Sequence, residues 1–159
     1  MLINSHINAT ITVVILKGNM TKILIGSDHG GYNLKREIIE HLKMLNYTVE
    51  DLGCHSPKAY DYPLIAKSLA QEVINSGNRG ILICGTGIGV SIVANRFKGI
   101  RASHCTDTFT ARMTRKHNDS NILCLGERIT GVGLAKDIVD IWLNTEFEGG
   151  RHKNRIDMY

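Results

Sequence analysis

The chain is poor in the side chains on which nucleic-acid and membrane proteins depend. Aromatic residues make up 6% of its 159 residues, so few side chains are available to stack on bases. The net charge of +4 is small and dispersed, which also gives little support for nucleic acid binding. No uninterrupted apolar run reaches the length that crosses a bilayer. We therefore expect neither a nucleic acid partner nor a membrane partner.

The sequence also lacks the cysteine patterns of metal sites and disulfide scaffolds. None of its four cysteines forms a C-x-x-C pair, and no Cys/His cluster suggests zinc. A chain of this length, with 43% apolar residues, can bury a core without disulfide bonds. We predict no metal, free thiols and a cytoplasmic location, because thiols persist in a reducing cytosol. Small core positions are predicted for Cys54, Cys105 and Cys124.

The first twenty residues differ from the rest of the chain. Residues 11–16 are strand-like, but the segment has neither the basic start nor the cleavage site of a secretory signal. Met20 stands just before the first convincing core strand. We predict that residues 1–20 are an extension ahead of an ancestral start, with an added edge strand or an interface segment as the alternative. Residues 21–159 are predicted to form a single domain.

Beyond the extension, short apolar runs alternate with amphipathic segments. Strands are predicted at about 22–27, 48–52 (nearer a sheet edge), 80–84, 100–105 and 122–125. Helices are predicted at about 32–45, 62–74, 87–96, 108–116 and 131–143. This alternation predicts an α/β fold, a three-layer Rossmann-like sandwich with a five-stranded parallel sheet and helices on both faces. Ligands in such folds bind beyond the carboxyl ends of the strands.

The most informative segment is residues 81–89, Ile-Leu-Ile-Cys-Gly-Thr-Gly-Ile-Gly. It predicts a buried strand, a tight loop and the start of a helix, an arrangement that points several N–H groups at one spot. Such a spot can stabilise an anion or a developing oxyanion, and a thiol there, Cys84, would lose its proton more easily. The glycine spacing matches neither the dinucleotide fingerprint nor a P-loop. A glycine-rich turn without a ligand is the alternative.

Three other segments carry polar groups with two possible roles. Asp28 and His29 follow the first strand and precede two glycines, which suits either a ligand site or a helix N-cap beside a surface histidine. His117 ends a helix, where a histidine is common as a cap. If the tail is helical, Arg151 and Arg155 share one face and suit a phosphate group, unless they form a solvated basic end.

Taken together, these motifs resemble the type B ribose-5-phosphate isomerases, whose family also contains the galactose-6-phosphate isomerase subunits. The resemblance covers residues 22–155. It rests on the segments 26–31, 61–63, 81–89, 94–95, 99–102, 117–119 and 148–152 in this order and spacing. It implies reversible isomerisation of ribose 5-phosphate to ribulose 5-phosphate through an enediolate, without a cofactor. It also implies a homodimer or a dimer of dimers with shared active sites.

The resemblance also implies roles for individual residues. The base would be Cys84, because Val90 stands where other members carry a catalytic glutamate. The other implied residues are Thr86 and the amides of Gly85, Gly87, Ile88 and Gly89 for the oxyanion; Asp28 and His29 for the sugar; His117, with Asn118 beside it, for ring opening; Tyr62 for the pocket wall; and Arg128, Arg151 and Arg155 for the phosphate.

Two alternatives remain open at the level of sequence. One is an isomerase of a six-carbon phosphosugar such as allose 6-phosphate or galactose 6-phosphate. The hexose-phosphate relatives typically lack the His-Asn-Asp and Gly-Gly-Arg-His-x-x-Arg segments that this chain contains, so these segments favour ribose 5-phosphate. The other is a non-catalytic module that binds a phosphosugar or a nucleotide.

Overall fold

The computed structural model describes residues 22–159, so the prediction for residues 1–20 lies outside the described residues. The strands are β1 (Lys22–Ser27), β2 (Thr48–Asp51), β3 (Arg79–Cys84), β4 (Ala102–His104) and β5 (Ile122–Gly126). The helices are α1 (Tyr32–Met44), α2 (Tyr62–Ser76), α3 (Ile88–Ala94), α4 (Thr108–Asn118), α5 (Val132–Asn144) and α6 (Arg151–Ile156), with a 3-10 turn at His29–Gly31. No helix within this range is long and apolar enough to cross a membrane.

The five strands form one parallel sheet in the order β2-β1-β3-β5-β4. The central strands β1, β3 and β5 are almost wholly buried, which explains their continuous apolar sequences. β2 lies at one edge, as its more polar sequence predicted. The predicted α/β fold is therefore confirmed.

Helices cover both faces of the sheet. The core on one face joins α1, α4 and α5 to the strands and contains Trp142, whose Nε1–H donates to Ser120 Oγ at 2.8 Å. The core on the other face joins α2 and α3 to the strands. In α1 the i, i+4 series of Leu34, Ile38 and Leu42 is buried, because these positions share one side of a helix.

The structure corrects the predicted boundaries of β4 and α3. β4 is shorter than predicted because the Asn95 side chain accepts the N–H of Ala102 and donates to its carbonyl, each at 2.8 Å, while α3 ends at Ala94. Leu45 and Leu134 are apolar residues within the predicted helices, but they are 44% and 42% exposed. Leu45 lies beyond the last turn of α1, and Leu134 lies in the first turn of α5.

The end of α2 and the helical tail agree with the sequence. α2 ends at Gly77, whose φ of +70° is the left-handed conformation expected of a C-terminal glycine cap. The tail forms the short helix α6, which packs on α4 and carries Arg151 and Arg155 one turn apart.

Candidate active site

The carboxyl ends of β1, β3 and β5 lie side by side at one end of the sheet, which we call the carboxyl edge. The backbone N–H of Asp28 donates to Ile83 O at 3.2 Å, and the N–H of Glu127 donates to Cys84 O at 3.0 Å. We call the predicted site residues at this edge the cysteine cluster: Asp28, His29, Tyr62, Cys84, Gly85, Thr86, Gly87, Ile88, Gly89 and Arg128.

Cys84 is the last residue of β3, and its thiol lies under the glycine loop. The side chain is buried, and the Gly87 N–H donates to its sulfur at 3.1 Å. Gly87 has φ of +80°, and a Cβ at this position would lie 2.6 Å from the ring of His104. Only glycine therefore allows the loop to turn an amide onto the sulfur while packing against the imidazole.

The other cysteines are core residues, as predicted. Burial raises the pKa of the Cys105 thiol to about 11 and raises the pKa of the Cys124 thiol well above its usual range. Cys54 is also buried, with its sulfur 3.9 Å from Ser27 Oγ. Cys84 differs from these three because a backbone amide of the glycine loop donates to its sulfur.

The rest of the glycine loop presents polar groups at the surface. Thr86 is exposed, and its Oγ1 accepts the N–H of Ile88 at 3.4 Å. The guanidinium of Arg128 lies beside Gly85, since a Cβ on that glycine would be 3.4 Å from the Arg128 Cζ atom. The Tyr62 ring packs against Gly89, where a Cβ would lie 2.8 Å from Cε2. The glycine loop, the Arg128 guanidinium and the Tyr62 ring therefore form one continuous surface around Cys84.

Asp28 and His29 are fixed by local hydrogen bonds. Asp28 is 8% exposed and accepts the Gly30 N–H at 2.8 Å, so its side chain caps the 3-10 turn. Burial raises the pKa of the Asp28 carboxyl, although the Gly30 amide and the positive charge of Arg128 act in the opposite direction. His29 Nδ1 lies 3.2 Å from both the backbone nitrogen and the carbonyl oxygen of Tyr60, so these contacts hold the imidazole in place in either tautomer.

His117 and Asn118 lie at the opposite end of the sheet, where the strands begin, which we call the amino edge. α4 begins just beyond the carboxyl end of β4 and runs back to Asn118, just ahead of β5. Its 11 residues give a rise of about 16 Å, roughly the depth of the sheet. The Asn118 carbonyl accordingly accepts from the side chain of Arg101, which precedes β4, at 2.9 Å. The amino edge therefore holds both residues.

α6 adds two arginines to this second group. The His152 ring stacks on His117, with the centroids 4.2 Å apart and the planes at 11°. Glu148 lies 3.6 Å from His152 Nε2 and 3.0 Å from Lys116 Nζ. We call the set at the amino edge the histidine cluster: His117, Asn118, Glu148, Arg151, His152 and Arg155. The predicted site is thus divided into two groups within one chain.

The histidine cluster contains a set of donors that resembles a metal site. One atom from each of His117, Glu148 and His152 falls within 4.8 Å of the others. Lys116 already forms an ion pair with the Glu148 carboxylate, and Arg151 and Arg155 add positive charge next to His152. This positive surrounding favours an anion over a divalent cation.

Four residues near the two groups were not identified from the sequence. Tyr60 lies in a loop. His104 falls inside the strand predicted at about 100–105, although in the structure it is the last residue of β4. The rule for strand ends therefore selected neither residue. Glu148 and His152 belong to a segment that was noted, and their i, i+4 spacing is a usable signal. Their contact with His117 depends on how α6 folds back onto α4.

Comparisons with known proteins identify close relatives. The model of the Ribose/Galactose Isomerase family matches residues 23–159. Ribose-5-phosphate isomerase B of Escherichia coli is 48% identical over 139 residues, which cover 87% of this chain and 93% of that protein. The solved structure of the Clostridium thermocellum ribose-5-phosphate isomerase B is 56% identical, with a TM-score of 0.85 over 86% of this chain and 93% of that one.

A further solved structure contains a ligand. It is ribose-5-phosphate isomerase B from Mycoplasma genitalium with bound ribulose 5-phosphate. It is 45% identical to this chain, with a TM-score of 0.83, and covers 86% of this chain and 92% of that one.

Proposed function

The chain belongs to the ribose/galactose isomerase family and is an aldose–ketose isomerase of ribose 5-phosphate, and we propose that Cys84 is the base of its reaction. The observation that carries this proposal is the Gly87 N–H that donates to the Cys84 sulfur at 3.1 Å. The bond holds the sulfur against the amides of the glycine loop, and a cysteine accepts a proton as its thiolate. A helix dipole adds little here, because α3 has only seven residues.

The reaction moves hydrogen between neighbouring carbons. The Cys84 thiolate takes the C2 proton, and the electron pair of the broken C–H bond forms the C1=C2 bond of an enediolate, with negative charge on O1. The thiol then returns the proton to C1, while the hydroxyl proton of O2 is lost to O1 as the C2 carbonyl forms. Val90 is fully buried and apolar, so it offers no competing base at the position of the glutamate.

The surface around Cys84 suits the remaining tasks. The Thr86 hydroxyl and the amides at the exposed face of the glycine loop would stabilise the enediolate oxygen. The Asp28 carboxylate and the His29 ring would bind sugar hydroxyls, and Tyr62 would form the pocket wall. Arg128 would hold an oxygen of the phosphate.

His117 would act on the cyclic substrate. Ribose 5-phosphate closes into a furanose through O4, so a proton must move between ring oxygen and O1 before C2 can react. Ribulose 5-phosphate does not form a furanose, because its O5 carries the phosphate. An acid/base residue for ring opening is therefore needed for one of the two substrates only.

A second copy of the chain is required if these residues act together. His117, Asn118, Arg151 and Arg155 lie about one helix length from Cys84 within one chain. In a two-fold dimer each copy could present its histidine cluster to the cysteine cluster of the other, which completes two sites. Apolar side chains are exposed on helices that begin at the carboxyl edge, as this arrangement requires: Leu64, Ile88, Ile92 and Phe109. We propose a homodimer as the smallest active form, alone or paired into a tetramer.

A cysteine base also bears on location. The thiol must stay reduced to act, and all four cysteines are free. We therefore expect the enzyme to work in the cytoplasm, where thiols persist.

Substitution of Cys84 tests the base directly. We expect Cys84→Ala to lower both isomerisation and solvent deuterium exchange into ribulose 5-phosphate by at least about a hundredfold. Cys105→Ala is the matched control, because this buried thiol has no contact with the glycine loop among the described hydrogen bonds and its pKa is raised to about 11. Exchange at a near-normal rate in Cys84→Ala would remove Cys84 from the role of base.

A further inference from the structure

We propose that His152 is a positioning residue for His117: the stacked His152 ring holds the His117 imidazole in the orientation that ring opening needs. The inference rests on the proposed role of His117 in ring opening. It concerns a side chain that would not itself touch the sugar. Its basis is the geometry and charge of the histidine cluster.

The stack fixes the orientation of His117. The two rings lie almost parallel, at 11°, with centroids 4.2 Å apart. His152 is 6% exposed, and its backbone N–H donates to Gly149 O at 3.1 Å. The Glu148 N–H donates to Lys116 O at 3.1 Å, so α6 is tied to the last turn of α4. The buried His152 ring thus covers one face of His117, which is less buried.

The charges around His152 disfavour its protonation. Burial lowers the pKa of His152, and His117, Arg151 and Arg155 lower it further, while Glu148 raises it. Lys116 forms an ion pair with Glu148 and weakens that opposing effect. Two imidazolium rings at this distance would also repel each other, which further disfavours a charged His152.

A purely structural role for His152 makes a different prediction. As a buried side chain of α6, His152 could serve only to dock the helix and thereby place Arg151 and Arg155. Loss of that docking would weaken phosphate binding for both substrates. Loss of positioning would instead affect only the substrate whose ring must open.

The experiment compares the two substrates in His152→Ala, His152→Phe and His117→Asn. Turnover of ribose 5-phosphate is measured alongside deuterium incorporation at C1 of ribulose 5-phosphate in D2O. We expect His152→Ala to lower kcat for ribose 5-phosphate by about tenfold or more, with exchange into ribulose 5-phosphate and both KM values within about threefold of wild type. Normal exchange also shows that the variant is folded.

His152→Phe tests the stacking itself. A phenyl ring keeps the stacked surface without a titratable group, so we expect it to restore most of the kcat lost in His152→Ala. A parallel loss for both substrates with raised KM, or no loss in either, would overturn the proposal. Normal turnover of ribose 5-phosphate by His117→Asn would instead refute the ring-opening role of His117.

Discussion

At the scale of single residues, Asp28 is a carboxylate at a position where burial disfavours its negative charge. It lies almost buried at the end of β1, and burial raises the pKa of its carboxyl above the ordinary 3.8. A group with a raised pKa in the folded state contributes stability below its unfolded pKa and loses that contribution as the pH rises through its folded pKa. At neutral pH the ionised Asp28 therefore lowers stability, which is typical of a residue retained for binding.

We predict that Asp28→Asn lowers kcat/KM for ribose 5-phosphate by about tenfold or more but does not destabilise the fold at pH 7. The amide can still accept the Gly30 N–H and has no charge to desolvate. Urea unfolding at pH 7 and pH 4 should show the variant equal to or more stable than wild type at pH 7, with a smaller difference at pH 4. A variant less stable than wild type at pH 7 would show that the charge stabilises the site.

At the scale of elements, the end of β5 determines where the glycine loop lies. Gly126 pairs with Cys84 in the sheet, and a Cβ at Gly126 would lie 2.6 Å from the backbone carbon of Thr86. Real Cβ atoms do not approach a backbone this closely. The absence of a side chain on one strand therefore permits the loop of the neighbouring strand to cover Cys84.

We predict that Gly126→Ala moves the loop and lowers kcat/KM by about tenfold or more, because small displacements of catalytic groups reduce rates steeply. Gly133→Ala is the matched control. Gly133 lies within α5, and a Cβ there would meet no other element of residues 22–159 within 4 Å, so alanine should raise stability by up to about 1 kcal/mol and leave activity unchanged. Steady-state kinetics and thermal unfolding separate the two effects, and equal kinetics in both variants would contradict the account.

The positions of the strands could be predicted because buried parallel strands are continuous apolar runs. The ends of α3 and β4 could not, since they depend on the Asn95 side chain bonding across seven residues. Asp119 is similar: it follows His117 and Asn118 in the sequence, yet it accepts from Arg101 at 3.1 Å and from Arg115 at 2.8 Å and so anchors the end of α4. Its contact with Arg101 spans 18 residues and could not be read from the local sequence.

At the scale of the whole molecule, the two clusters occupy opposite edges of one sheet. The rule that ligands bind at the carboxyl ends of strands selected Asp28, Cys84 and Arg128, and the structure brings these together. The role of His117 came from family resemblance, and that of Arg151 and Arg155 from the resemblance and their i, i+4 spacing. These residues lie at the far edge. Sequence patterns describe one chain, so they do not show which edge of a second copy a residue faces.

Mixing two inactive variants tests the shared site most directly. Cys84→Ala and His117→Asn are each expected to be inactive on ribose 5-phosphate. If each site combines Cys84 of one copy with His117 of the other, a dimer of one variant with the other contains one intact site. Unfolding and refolding an equal mixture should then restore about a quarter of the wild-type activity, since half of the dimers are mixed and each has one working site of two. No recovery, with mixed dimers shown to form, would contradict a site built from two copies.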